Sequence, residues 1–207
     1  MAGCKCPKAT VLSEIPTQDC DVDLEQLQKF GFQRGGFVFD LNAGTPTDIT
    51  KKADWLALKT ATNDTKVVFT PLIGGDPVIT AGDAITSGGG DNSTLNGVEE
   101  VQGTNPSNFT GVFKSLSSEV KAKLQELECE KDLVVFPINQ NGKIVARKIA
   151  EGMYGGFPIS SFHISDRNNA GFGTKDTFNV KFTLPARWDN DLVLIDPETT
   201  FRPLQDL

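Results

Sequence analysis

The clearest pattern along the chain is an alternation of apolar and polar residues between Asp176 and Leu184. Because successive side chains of a strand point to opposite faces, this pattern predicts a half-buried β-strand with a polar outer face. The apolar positions are Phe178, Val180, Phe182 and Leu184, and the polar positions are Thr177, Asn179, Lys181 and Thr183.

Shorter apolar runs predict further strands. They are Phe32–Leu41, Lys66–Ile73, Val78–Ile85, Leu133–Ile138, Lys143–Ile149, Phe157–Ser165 and Asp191–Ile195. Asn141-Gly142 lies between two of these runs. It favours a hairpin, because a type I′ turn needs positive φ at both central residues.

Helical spacing is strongest from Ser117 to Lys131, where apolar residues recur every three or four positions. This spacing predicts a helix capped by Ser117 or Ser118, with one apolar stripe packed on a sheet. The stripe consists of Leu116, Val120, Leu124 and Leu127.

Two weaker helical patterns precede it. The run from Lys51 to Ala61 predicts a short helix capped by Thr50 or Asp48. One or two helical turns are expected at Leu24–Phe30. The buried residues of the short helix are predicted to be Trp55, Leu56 and Leu58.

Together these elements predict a mainly β protein with a minor α component. We expect an antiparallel β-sandwich or barrel with one packed α-helix. Residues 1–24 are predicted to form an extended N-terminal arm, and 25–207 a single β-rich domain. The tail that begins at Pro197 is expected to be extended.

The glycine-rich stretch 81–113 separates the early strands from the main helix. A structureless segment of this length is uncommon in a compact domain, so we expect a long inserted loop over 86–111. It also carries apolar residues that a flexible linker would not need. We predict that these residues, with two from the tail, are buried against a partner subunit: Leu95, Val98, Val101, Phe109, Phe201 and Leu204.

Composition narrows the possible functions. The net charge of −7 and pI of about 4.8 disfavour direct gripping of nucleic acid, which needs Lys and Arg to displace counterions. No apolar run approaches the length of a membrane span, and no secretory signal is present, so synthesis in the cytosol without membrane attachment is expected. Tyr occurs once and Trp twice, which leaves few residues for sugar stacking.

The sequence offers little for catalysis, cofactors or metals. The one histidine, His163, has Ser160, Ser161 and Asp166 nearby in sequence, but sequence proximity does not make a triad. We interpret it as a surface or interface residue, and expect no catalytic, cofactor-binding or metal site. The spacing of Cys4, Cys6, Cys20 and Cys129 favours free thiols, with a zinc site or a disulfide as alternatives.

Three segments carry a resemblance to a known family: the helix SSEVKAKLQELECEK, the loop ITSGGGDNSTLNGVEEVQGTNPSNF, and the closing stretch FHISDRNNAGFGTKDTFNVKFTL with RWDNDLVLIDP. In this layout the chain resembles a virion structural protein of a tailed bacteriophage, and is most similar to the tail tube protein family. The resemblance implies location in the virion and synthesis in the host cytoplasm.

It also implies homo-oligomeric, hexameric rings stacked into a tube, with contacts to other virion proteins. DNA would pass as cargo without specific binding, repelled by mostly acidic and neutral lumen groups. Thr177, Asn179, Lys181 and Thr183 would face this lumen. The alternatives are a head decoration, collar or connector subunit, a receptor- or glycan-binding module with the long loop as its surface, and, last, a hydrolase.

Overall fold

The computed structural model describes residues 11–15, 23–42, 48–90 and 94–207. The chain divides into two compact units. The smaller comprises Met1–Asp23 and Asp83–Asn105, and the larger comprises Leu24–Gly82 and Pro106–Leu207. Most of the expected N-terminal arm lies outside the described residues. Residues 11–15 are described, have no regular secondary structure and are exposed.

In the described residues the strands are β1 Leu27–Arg34, β2 Phe39–Asp40, β3 Val67–Phe69, β4 Gly74–Thr80, β5 Ala84–Ser87, β6 Glu100–Thr104, β7 Ser107–Lys114, β8 Leu133–Asn139, β9 Ile144–Ala150, β10 Met153–Gly155, β11 Phe157–Pro158, β12 Ser160–Ile164, β13 Thr177–Leu184 and β14 Leu192–Ile195. The helices are α1 Lys52–Thr60, α2 Ser118–Glu126 and α3 Pro203–Asp206, with 3-10 turns at Leu95–Gly97 and Leu127–Cys129.

Two antiparallel sheets form the larger unit. One follows the order β2-β10-β9-β8-β1-β3, with β11 added to β8 and β14 added to β9. The other follows the order β12-β13-β7-β4. Every strand pair recorded for the described residues is antiparallel. The predicted fold class, mainly β and antiparallel, is confirmed.

The first hydrophobic core lies between the two sheets. Phe30 of β1 contacts Phe109 of β7 edge-on, with ring centroids 4.8 Å apart. Phe109 stacks on Phe182 of β13 at 4.6 Å. All three rings are at most 3% exposed. Since one ring comes from the eight-stranded sheet and two from the four-stranded sheet, this cluster joins the layers.

The second core lies on the other face of the eight-stranded sheet, against α1 and the C-terminal segment. Trp55 of α1 packs on Phe39 and Phe136, with ring centroids 4.7 and 5.2 Å apart. Its indole Nε1 donates a hydrogen bond to the Ile49 carbonyl oxygen at 2.8 Å, so the buried donor is satisfied.

One chain segment passes from one sheet to the other between these layers. β11 pairs with β8, and β12 pairs with β13. Ser161, with φ of 53°, lies where the register of β12 against β13 shifts. The predicted strand Phe157–Ser165 therefore exists as two strands, because the chain pairs with β8 up to Ile159, whose amide donates to the Leu133 carbonyl oxygen, and with β13 from Ser160 onward.

The helical turns expected at Leu24–Phe30 are wrong. This stretch enters β1, which pairs with β8 on one side and β3 on the other. The spacing of Leu24, Leu27 and Phe30 also fits one helical face. Strand pairing and two-sided burial outweigh such a weak local preference.

The predicted hairpin and main helix are confirmed. β8 and β9 flank Asn139–Gly142, but of the two central residues only Gly142, with φ of 78°, has positive φ, so the turn is not the expected type I′. The helix α2 is shorter than the predicted Ser117–Lys131 and continues as a 3-10 turn. The Ser117 hydroxyl accepts a hydrogen bond from the Val120 amide at 3.2 Å, as expected of an N-cap.

The expected cap of α1 and the extended tail are wrong. Lys51 is the N-cap and makes no side-chain cap. Instead the Lys52 amide donates to the Glu198 carboxylate at 3.2 Å. The tail ends in α3, and Phe201 and Leu207 are buried in the second core. The segment after Pro197 is therefore held by its own chain.

The stretch 81–113 is not a structureless loop. β5 and β6 pair in the smaller unit, with Ala84 opposite Thr104 and Ser87 opposite Glu100. β7, in the larger unit, is a central strand of the four-stranded sheet. The reason is the alternation in SNFTGVF, which buries Phe109 and Phe113 on one face.

The inter-sheet stack provides the first testable prediction. Phe109→Ala should lower the free energy of unfolding by about 3–5 kcal/mol, because it removes a fully buried ring and leaves a cavity. Chemical denaturation followed by circular dichroism measures the change. The control Val78→Thr, on a half-exposed side chain of β4, should stay within about 0.5 kcal/mol of the parent. Unchanged stability for Phe109→Ala would contradict burial within the chain.

Candidate functional site

The smaller unit displays an apolar surface on a hairpin, formed by Leu95, Val98 and Val101. Their exposed fractions are 83%, 59% and 68%. The 3-10 turn places Leu95 near the hairpin tip, and Val101 lies in β6. Three strongly exposed apolar side chains within seven residues of the chain are a candidate interaction site.

The tip of this hairpin is closely packed around Gly88. Its φ is +92°, and a Cβ there would lie 2.6 Å from both the Thr94 hydroxyl and the Val98 carbonyl oxygen. The Thr94 hydroxyl donates a hydrogen bond to that carbonyl. Only glycine fits this position, so the tip has a defined shape that holds Leu95 and Val98 outward.

The other three predicted interface residues are placed differently. Phe109 is 0% exposed and Phe201 is 3% exposed, each within its own chain. Leu204 is half-buried and packs against the second core. The predicted roles of Phe109 and Phe201 in a subunit interface are therefore wrong, since no surface remains for a partner to cover. The alternation around Phe109 was the signal that could have placed it in a strand.

The outer face of the four-stranded sheet is polar. Thr177, Asn179, Lys181 and Thr183 alternate with four buried apolar residues, as the sequence predicts. In register, Ser160, Thr183, Asn108 and Thr80 form one row across the four strands. The Thr183 hydroxyl donates to the Asn108 side-chain oxygen at 3.1 Å. Hydroxyl and amide groups thus dominate this face.

The charges on this face differ from the acidic lumen that the sequence analysis expected. β7, β12 and β13 carry no carboxylate, and their charged residues are Lys114 and Lys181, with His163 beside them. The acidic residue of the sheet is Asp76, on the edge strand β4. Despite the net charge of −7, this surface is neutral to weakly basic.

His163 lies at the border of that face and pairs with an acid. Its Nδ1 is 3.0 Å from the Glu128 carboxylate, which also accepts a hydrogen bond from the Ile164 amide at 2.8 Å. Asp166 instead pairs with Lys121 at 2.6 Å. The structure does not bring Ser160, Ser161 and Asp166 together with His163 as a triad. The contact between His163 and Glu128 connects β12 to the 3-10 turn that follows α2.

A set of polar contacts fixes the C-terminal segment to α1. The Lys52 ammonium lies 2.6 Å from the Asp206 carboxylate, and the Lys59 ammonium donates to the Leu207 carbonyl oxygen at 2.7 Å. The hydrogen bond from Lys52, followed by that from the Arg202 amide, lowers the pKa of Asp206. The tail is thus held by charge as well as by burial.

No group of metal-ligating side chains occurs among the described residues. Cys129 is a free, exposed thiol, while Cys4, Cys6 and Cys20 lie outside the described residues. Within the part of the chain that is described, no helix has the length and apolarity to cross a membrane.

The tail contact can be tested by titration. A lowered pKa means that Asp206 stabilises the fold at neutral pH and that this contribution is lost as the pH falls through that pKa. Lys52→Met should raise the pKa of Asp206 toward the ordinary aspartate value, as measured by carboxyl NMR. Lys51→Met, whose ammonium pairs with Asp48, is the matched control and should leave Asp206 unchanged. An Asp206 pKa that is insensitive to Lys52→Met would contradict docking of the tail.

No protein-family model matches the chain, and no curated protein matches it. Solved structures do. The first is described as the tail of an empty GTA particle, from helical refinement with C6 symmetry. It is 12% identical, with a TM-score of 0.33 over 59% of this chain and 81% of that chain. The second is described as the virion of a native gene transfer agent particle. It is 13% identical, with a TM-score of 0.31 over 57% of this chain and 79% of that chain.

Both descriptions name tail or virion assemblies. Identities and TM-scores this low carry no argument about the function of this chain.

Proposed function

We propose that this chain is a structural subunit of a phage-like virion, which assembles into stacked hexameric rings that form a tail tube. The number of subunits in each ring and the stacking of the rings are taken from the family resemblance. The observation that carries self-assembly is the exposed apolar surface of the hairpin, where Leu95, Val98 and Val101 are 59–83% exposed.

The hairpin needs a covering surface on physical grounds. A two-stranded hairpin alone is marginally stable in water. Full burial of a Val or Leu side chain contributes about 1.5–3 kcal/mol. Three such side chains on each subunit, repeated around a ring, supply a substantial driving force for association. A neighbouring subunit is the simplest partner for a surface present on every copy.

The four-stranded sheet supplies the second element of the proposal. Its order leaves β12 and β4 as edge strands, which can pair with strands of neighbouring copies. A ring of such sheets would close with its polar faces on one side. We place Thr177, Asn179, Lys181 and Thr183 on the lumen side of that wall.

Because this face is neutral to weakly basic, it would let DNA pass by making weak contacts with the phosphates and not by repelling them. Tight non-specific binding needs many Lys and Arg residues on phosphates. Here two lysines are spread among hydroxyl and amide groups. Contacts of this kind exchange readily, so DNA can move as cargo. The proposed role is mechanical, the proposed partners are other virion proteins, and no catalytic step is assigned.

The hairpin surface can be tested by substitution. Changing Leu95, Val98 and Val101 together to Ser should abolish assembly without changing the fold, because all three side chains are exposed. Negative-stain microscopy reports rings and tubes, and circular dichroism reports the fold. The control is Leu41→Ser with Ile149→Ser, which are 46% and 44% exposed and lie outside the hairpin. Assembly by the triple variant would refute the role of the hairpin.

The same images separate this proposal from the alternatives. Rings that stack into tubes support a tail tube. Single closed rings that never stack indicate a collar or connector, and isolated monomers or trimers at high concentration indicate a binding module.

The lumen assignment has its own test. With the four native cysteines changed to Ser, Asn179→Cys should react with a small maleimide in both monomer and tube. A maleimide on a large polymer should label the monomer and be excluded from the tube. The control Thr60→Cys lies at the exposed end of α1, which packs against the opposite sheet. Equal labelling of Asn179→Cys by the large reagent in both states would place this face outside the tube.

A further inference from the structure

An apolar groove runs beside β3, the edge strand of the eight-stranded sheet. It comprises two adjoining cavities of about 420 and 230 Å³ that share Phe32, Val68, Leu127 and Glu130. The wall opposite β3 is α2, which contributes Val120 and Leu124. The groove lies within the larger unit and combines an apolar floor with an open strand edge.

The edge of β3 offers main-chain hydrogen-bonding groups. β3 is the last strand in its sheet, paired only with β1 among the described residues. The Thr70 amide donates to the Phe30 carbonyl oxygen at 2.9 Å, and Phe32 lies opposite Val68. Because inward- and outward-directed groups alternate along an antiparallel strand, the N–H and C=O groups of Val67 and Phe69 point away from β1.

A second observation favours a polypeptide occupant over an apolar small molecule. The smaller cavity is also lined by Gln33, which is 1% exposed. The Gln33 side-chain oxygen is buried and accepts no hydrogen bond within the described residues. An added chain brings main-chain N–H donors and C=O acceptors to the unpaired edge of β3 and a donor for this oxygen, whereas a hydrocarbon ligand does not.

The chain itself contains a segment with the required chemistry. Residues 11–15, the arm segment, read Val-Leu-Ser-Glu-Ile and have no regular structure. Val11, Leu12 and Ile15 are 78%, 95% and 94% exposed. An extended five-residue segment with three uncovered apolar side chains matches an edge strand beside an apolar groove.

We propose that the arm segment of one copy adds as a strand to the β3 edge of a neighbouring copy and buries its apolar side chains beneath α2. The proposal rests on self-assembly, the proposed function, and names a contact through which copies are joined.

Native cysteines provide the test. Cys129 is exposed on the 3-10 turn beside Glu130, which lines both cavities. Cys6 and Cys20 each lie five residues from an end of the arm segment, a reach of at most ~17 Å. Unlabelled and nitrogen-15-labelled full-length protein are mixed before assembly and treated with a short bis-maleimide. Mass spectrometry then identifies the linked peptides.

Cross-links between Cys129 and an arm cysteine should form, with mixed-isotope pairs as abundant as same-isotope pairs. Val68→Glu should lower their yield about tenfold, as should Leu12→Asp with Ile15→Asp, because each places a charge in the apolar contact. The matched control is Ile149→Glu, a 44% exposed residue of β9, which is not an edge strand and does not line the groove, and it should leave the yield unchanged. The arm variant guards against misfolding, since its residues are exposed.

Cross-links confined to same-isotope pairs would overturn the proposal, as would their absence at Cys129 or a yield that the arm variant does not change. Microscopy of the same samples separates this outcome from failure of the proposed function. Tubes without Cys129 cross-links refute only the arm contact. Mixed-isotope cross-links without tubes support the arm contact and refute the tail tube.

Discussion

The burial of β1 and β8 on both faces is the constraint on which the rest of the structure depends. In β8, Leu133 and Val135 enter the core between the sheets, while Phe136 and Ile138 enter the core beneath α1. A strand whose side chains are buried on both faces of its sheet requires a packed layer of protein on each side. The four-stranded sheet is one layer, and α1 with the C-terminal segment is the other. Removing either layer would expose phenylalanine and isoleucine side chains that contribute about 1.5–3 kcal/mol each when buried.

This constraint also assigns roles to the ends of the chain. The tail cannot serve as a free arm, because Phe201 and Leu207 complete the second core and Lys52 and Lys59 hold the same segment. Among the described residues, the large apolar side chains that remain uncovered lie in the hairpin, in the arm segment, at Phe172 in the loop before β13, and at scattered positions such as Leu72. A larger unit that buries its own strands, in a chain whose hairpin and arm segment stay uncovered, fits the self-assembly proposed above.

The parts of the fold that could be predicted from sequence are the strands and helices with one face exposed to solvent. β13 alternates visibly because Asn179 and Lys181 meet water, and α2 shows its stripe because Lys123 and Glu126 do. The β1 region gives no such signal, since both faces are apolar and the helical and strand patterns overlap. The sequence predicts an extended tail because charged residues in a segment suggest exposure. Lys52 and Lys59, which bind the tail in the structure, lie far from it in the sequence and give no local signal of this contact. In the candidate site, the exposure of the hairpin residues could be predicted, because apolar side chains stand there among glycines. The alternation of apolar and polar residues around Phe109 could have shown that this residue belongs to a buried strand and not to the hairpin.

The location of polar groups limits how such subunits can join. The outer face of the four-stranded sheet presents threonine, asparagine and lysine, and burying it in a permanent interface would desolvate these groups without partners. Stable contacts must therefore use strand edges and apolar segments, which offer unpaired main-chain groups and uncovered side chains. Assembly through edges leaves the polar face in water whatever the number of copies. In the proposed tube, a face that stays hydrated while its edges are sealed would form the inner wall, and although the chain is net acidic, β7, β12 and β13 carry no carboxylate.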